Sequence, residues 1–232
     1  MTDNGYDLFS QMHESEGMAV INRLHTRSFS VNIFLGNYRE LNEALKLVEN
    51  TDVALKLMTE ENREADNQVH REVHRLFHNF LAGAKTLVDH TRAWVSQHYP
   101  NTKVSKLYNK KVKSEFETDE LSKFINDLRN YMLHKGLPST ERFLRVHAEQ
   151  GIESGINLQK ERLLEWDKWT KPAKCFLTKQ EENFSFSKIV EDYHDKILDF
   201  HNWLDNIVKN YHKADISELQ KMQKEYEEKY GT

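Results

Sequence analysis

The chain has 232 residues, 38% of them hydrophobic and 30% charged, with a formal net charge of -4 at pH 7. That length buries a sizeable core. The balance argues against a membrane-embedded chain and against a strongly basic nucleic-acid-coating protein, while leaving room for local basic patches. Eight glycines and three prolines are too few to punctuate many short strands, so long helices are favoured. The single cysteine, Cys175, excludes an intramolecular disulfide and a cysteine-rich zinc site. The amino terminus shows no basic segment followed by an apolar one, and no apolar run reaches membrane-spanning length. No membrane association is expected, and a cytoplasmic location is the default.

Hydrophobic periodicity predicts the elements in chain order. A first helical stretch covers about 7–25, with apolar residues too scattered to define its ends. A second runs over 30–48, where Val31, Phe34, Leu35, Tyr38, Leu41, Leu45 and Val48 recur at three-to-four spacing. Asn50-Thr51-Asp52 breaks it, and Thr51 or Asp52 can cap a short helix over 53–58. The strongest pattern spans 61–98, with Val69, Val73, Leu76, Phe77, Phe80, Ala84, Leu87, Val88, Thr91 and Trp94 or Val95 on one face. Such a helix is roughly 55 Å long and calls for a partner along its length. Tyr99-Pro100-Asn101 ends it. Another amphipathic helix follows at 102–116. Thr118-Asp119-Glu120 resembles a capping sequence, and Leu121, Phe124, Ile125, Leu128, Met132 and Leu133 carry the next helix to a glycine stop at Gly136.

After Pro138 the periodicity changes. Residues 142–149 and 156–159 alternate partially around Gly151 and Gly155, which predicts a short β-hairpin. Helical patterns return over 160–169, 174–180 and, strongly, 187–211. The charged tail over 216–230 reads as a solvated or frayed helix. The expected fold is mainly α: a helical bundle around a long antiparallel helix pair, with a short β-hairpin after the motif helix.

The candidate site is Arg129-Asn130-Tyr131-Met132-Leu133-His134, just before Lys135-Gly136-Leu137-Pro138. An arginine, an amide and a histidine are the groups needed to hold a phosphate and move a proton beside it. Asn130 and His134 are four apart and share a helix face, so Asn130 can orient the imidazole or hold a phosphate oxygen. Arg129 and His134 are about 140° apart around the axis, so a single copy does not stack them. Arg129 can instead pair with Asp127 or Glu120, and His134 can merely cap the helix.

The segment 124–134, in which Arg129 and His134 enclose four residues and Asn130 fills the polar slot, resembles the signature of the HEPN superfamily. The preceding helix, with Phe77-His78-Asn79-Phe80-Leu81 and Leu87-Val88-Asp89-His90-Thr91-Arg92, is similar to that family's other core helix. The resemblance covers about 29–138. It implies a HEPN-like helical core with N-terminal helices over 1–138, and a C-terminal extension of hairpin and helices over 139–232 packing on the same core. It also implies metal-independent RNA cleavage by a homodimer whose two motifs face one cleft. The implied catalytic residues are Arg129, Asn130 and His134, with no cofactor. The products implied are a 2′,3′-cyclic phosphate and a 5′-hydroxyl. Partners implied are RNA and an antitoxin or regulatory protein, in a toxin or phage-defence setting. In that chemistry Arg129 stabilises charge building on the phosphorane, and His134 at a helix end suits the proton-donor role. A helical nucleotide-, RNA- or protein-binding module without catalysis, keeping Arg129 as a phosphate clamp, is the alternative.

Lys103, Lys106, Lys110 and Lys113 fall close to one helical face and read as an RNA-binding surface or an ordinary solvated one. His70, His74 and His78 stand at successive i, i+4 spacings. His78 is one turn too far along for a compact zinc set, so no metal site is expected. The pairs His194/His201 and His90/His98 are weaker. Trp166, Trp169 and Trp203 read as a wall packed on the core, and Cys175 as a structural thiol.

Overall fold

In the computed structural model, which describes residues 3–147 and 151–230, the chain forms ten α-helices and one three-stranded sheet among the described residues. Helix α1 (Asp3–Glu14) ends at Ser15, whose hydroxyl accepts the Met18 N–H and caps α2 (Glu16–Glu49). The expected first helix over 7–25 is therefore split, and its second half fuses with the 30–48 pattern into one 34-residue helix. The cap between α2 and α3 (Thr51–Leu57) is Asn50, which accepts the Val53 N–H, rather than Thr51 or Asp52. Helix α4 (Arg63–His98) has 36 residues, about 54 Å at the α-helical rise.

Helices α2 and α4 run antiparallel. Ser30 meets His90, Phe34 meets Phe80, and the Arg27 guanidinium lies 5.4 Å from the Trp94 ring. The predicted apolar face of α4 is the buried one, from Val73 to Val95. Gly83 lets the pair approach: a Cβ there would lie 2.8 Å from the Asn37 amide and 3.7 Å from Phe34 Cα. Helix α5 (Lys103–Glu115) is capped by Thr102 and α6 (Glu120–His134) by Asp119.

Strands β1 (Thr140–His147) and β2 (Gly151–Gln159) form the expected antiparallel hairpin, from Thr140 opposite Leu158 to His147 opposite Gly151. Ala148 and Glu149, placed by sequence in the first strand, lie outside the described residues. Helix α7 (Lys160–Leu164) stops short of the predicted 169 because the Trp169 indole N–H donates to the Leu163 carbonyl at 2.7 Å, turning the chain back. Helix α8 (Lys171–Lys179) carries Pro172 in its first turn. A third strand, β3 (Asn183–Ser185), pairs with β2; three residues are too few to show alternation in the sequence. Helix α9 (Phe186–Tyr211) leads to α10 (Lys213–Tyr230), which is docked rather than frayed: Leu219 is buried and Tyr226 packs on Phe9.

One apolar cluster joins α2, α4, α6, β2, α7, α8 and the start of α9. A second joins Val20, the end of α4, α5 and the second half of α9. No helix among the described residues is long and apolar enough to cross a membrane.

Candidate anion-binding cavity and the motif helix

Helix α6 is held in one rotational setting by its apolar face. Phe124 stacks on Trp169 and Phe176, and Tyr131 stacks on Trp169 at 5.9 Å while meeting Trp166 edge-on. Trp166 and Trp169 thus form the core wall predicted for them; Trp203 is half-buried against Phe200 and Lys111. Asp127 is buried on the same face and accepts both the Thr170 N–H at 2.8 Å and the Thr170 hydroxyl at 2.7 Å. That links α6 to the start of α8. The helix ends where the Lys135 and Gly136 N–H groups share the Tyr131 carbonyl, with Gly136 at φ 145°, a conformation open to glycine.

With that face committed, Arg129 turns toward a cavity between α4, α5, α6 and α9. The cavity encloses about 560 Å³. Leu81, Ala84, Val88, Val112, Phe116 and Ile197 contribute apolar wall, and Lys85, Arg92, Lys113, Lys123 and Arg129 contribute cations. Lys85 and Arg92 share Asp89, at 2.7 and 3.6 Å. Lys113, Lys123 and Arg129 have no ion-pair partner among the described residues, and Glu117 is the one lining carboxylate. The sequence alternative of Arg129 tied to a neighbouring acid is not what forms. Asp127 is taken by Thr170, and Glu120 by Lys179 at 2.7 Å.

The cavity floor includes His201, buried against Arg27. The Arg27 guanidinium approaches His201 Nδ1 at 2.8 Å and also bonds Asp205. Because a guanidinium only donates, Nδ1 must accept, which places the ring proton on Nε2. A second proton would lose that bond and set two cations together. Burial first, and Arg27 second, hold the imidazole down at about 3. Burial pulls Arg27 to about 10. Tyr99 opposes that pull, and a value of about 10 keeps the guanidinium protonated at neutral pH.

The remaining predicted residues are dispersed. Asn130 is half-buried and His134 exposed at the end of α6, and neither lines the cavity. Lys103, Lys106 and Lys110 are exposed along α5, and of the four only Lys113 reaches the cavity. Lys111 instead pairs with Glu115. Sequence reasoning missed Lys85, Arg92 and Lys123. Their signal was slight: polar positions flanking apolar helix faces, which gain meaning only once α4, α5 and α6 stand together.

His70 and His74 serve the fold. The Thr140 hydroxyl lies 3.0 Å from His70 Nε2, and His74 Nε2 lies 3.3 Å from the Pro138 carbonyl, tying β1 to α4 beside the Arg142–Asp66 ion pair. His194 stacks on Tyr38 with ring centroids 3.5 Å apart. Among the described residues no group of three or more His, Cys, Asp or Glu is arranged to hold a metal ion. No family model matches the chain, and neither a curated protein nor a solved structure matches it.

Proposed function

We propose that the chain handles RNA in the manner of the HEPN superfamily, as a cytoplasmic homodimer that cleaves RNA without a metal ion and is held in check by an antitoxin or regulatory protein. The observation that carries this reading is Arg129, a guanidinium in the motif helix with no acid partner among the described residues, facing a cavity it shares with Lys113 and Lys123. A cation so placed suits a phosphate oxygen and, in ribonuclease chemistry, the charge that builds as the 2′-hydroxyl attacks. His134 would protonate the leaving 5′-oxygen. It lies outside the cavity of its own copy, so the site is half-built, and the His134 of a second copy would complete it.

Purified protein incubated with mixed RNA, with and without a chelator, tests this. Cleavage should resist the chelator and yield cyclic phosphate ends. His134→Ala should abolish it with fold and dimer intact, and undiminished cleavage by that variant would sink the assignment. Arg129→Ala should lower the cleavage rate by about 10²-fold.

The position of His134 outside the cavity favours a second reading, a non-catalytic RNA- or nucleotide-binding module. In that case the chain retains RNA, Arg129→Ala weakens retention, and no product forms.

A further inference from the structure

We propose that the cavity between α4, α5, α6 and α9 binds a small amphipathic anion, its apolar body against the walls and its anionic head at the cation cluster. This goes beyond the RNA reading, because an RNA backbone asks for cations along an open surface and has no use for an apolar chamber. The walls are Leu81 and Val88 from α4, Val112 from α5 with Phe116 just after that helix, Ile125 from α6 and Ile197 from α9. Four elements converge to build them, so they are not isolated exposed side chains. At about 560 Å³ the space falls within the range of small-molecule sites, roughly 300–1,000 Å³, in which apolar lining and a few polar groups fix a ligand.

The head group follows from charge. Lys113, Lys123 and Arg129 meet the cavity without ion-pair partners among the described residues, against the single carboxylate of Glu117. Arg129 supplies the planar fork that grips a phosphate or carboxylate, and the lysines supply point charge. Two titratable groups in the lining add no charge: His201 is neutral, and Tyr193 is buried with its phenol pushed up by that burial. A lining that joins apolar walls to unpaired cations selects a molecule with an apolar body and an anionic end. A ligand seated this way occupies Arg129, so it would compete with RNA for that residue.

Calorimetric titration of the full chain with decyl phosphate tests the proposal, with inorganic phosphate, 1-decanol and adenosine 5′-monophosphate as comparisons. Decyl phosphate should bind with one site per chain, at least about tenfold more tightly than inorganic phosphate or decanol. Arg129→Ala should weaken it by about tenfold, and Lys123→Glu should weaken it further. Val112→Trp, which fills a half-buried wall position, should remove binding while the melting transition persists. Absence of saturable binding overturns the proposal, as does binding that none of the three variants alters. Tighter binding of adenosine 5′-monophosphate than of decyl phosphate also overturns it, because the chamber would then select a nucleoside. RNA cleavage assays on the same preparations separate the two readings: decyl phosphate binding in a chain that cuts no RNA leaves this proposal standing.

Discussion

Asp127 sits two residues before Arg129, buried and accepting two hydrogen bonds from Thr170. Asp127→Ala would take the acceptor from the Thr170 N–H and hydroxyl, which water reaches because Thr170 is exposed, so we expect a loss of about 1–2 kcal/mol in chemical denaturation. Asp127→Asn, which keeps one acceptor, should lose less. His201 makes a prediction in pH. Its folded value of about 3 lies below the ordinary histidine value of 6.5, so the unfolded chain takes up a proton that the folded chain refuses. The neutral ring's contribution to stability is complete above pH 6.5 and is lost as pH falls toward 3. Between pH 7 and 5 this amounts to about 2 kcal/mol. Arg27, Asp205 and Tyr99 are the charged or titratable groups around this pair. Urea unfolding across that range should show a shallower pH slope in His201→Gln than in the parent; equal slopes would refute the assignment. The sequence offered no sign of this pair, because Arg27 and His201 are 174 residues apart and only the packing of α2 on α9 joins them.

At the scale of elements, α2 and α10 approach at Gly17, where a Cβ would overlap the Asp215 carbonyl oxygen and lie 2.8 Å from Leu219 Cβ. Alanine would favour the isolated helix by about 1 kcal/mol, but the overlap costs about 1–3 kcal/mol. Gly17→Ala should therefore accelerate amide exchange in α10 and leave α4 protected; a more protected α10 would show that propensity wins. The lysine face of α5 was legible from spacing alone, because exposed i, i+3, i+7 positions need no tertiary information. The proposal that this face binds RNA is checked by salt: if it does, Lys106→Glu and Lys110→Glu should each reduce the slope of log affinity against log salt by about 0.7. An unchanged slope identifies a solvated face. Helix boundaries were legible wherever a cap is local, as at Thr102 and Asp119. They were lost where the deciding bond is distant in sequence, as when the Trp169 indole claims the Leu163 carbonyl and ends α7.

For the whole molecule, the proposed half-built site would tie activity to association. Light scattering should give twice the chain mass at the concentrations where cleavage appears. Mixing Arg129→Ala with His134→Ala should restore part of the activity, since one groove of the mixed dimer regains both groups. No recovery on mixing would place the two residues in separate roles.

The long antiparallel pair, the hairpin after Pro138 and the motif segment could be read from the sequence itself. They rest on periodicity, caps and turn residues, all of which act over a few positions. Tertiary structure alone decided which way the motif faces. Burial of Phe124, Asp127, Leu128 and Tyr131 sets the rotation of α6, and that rotation sends Arg129 into the cavity while leaving His134 outside it. The same packing brings Lys113 of α5 to the cavity that Lys123 and Arg129 of α6 line, a grouping no local pattern encodes because it joins two helices across a turn.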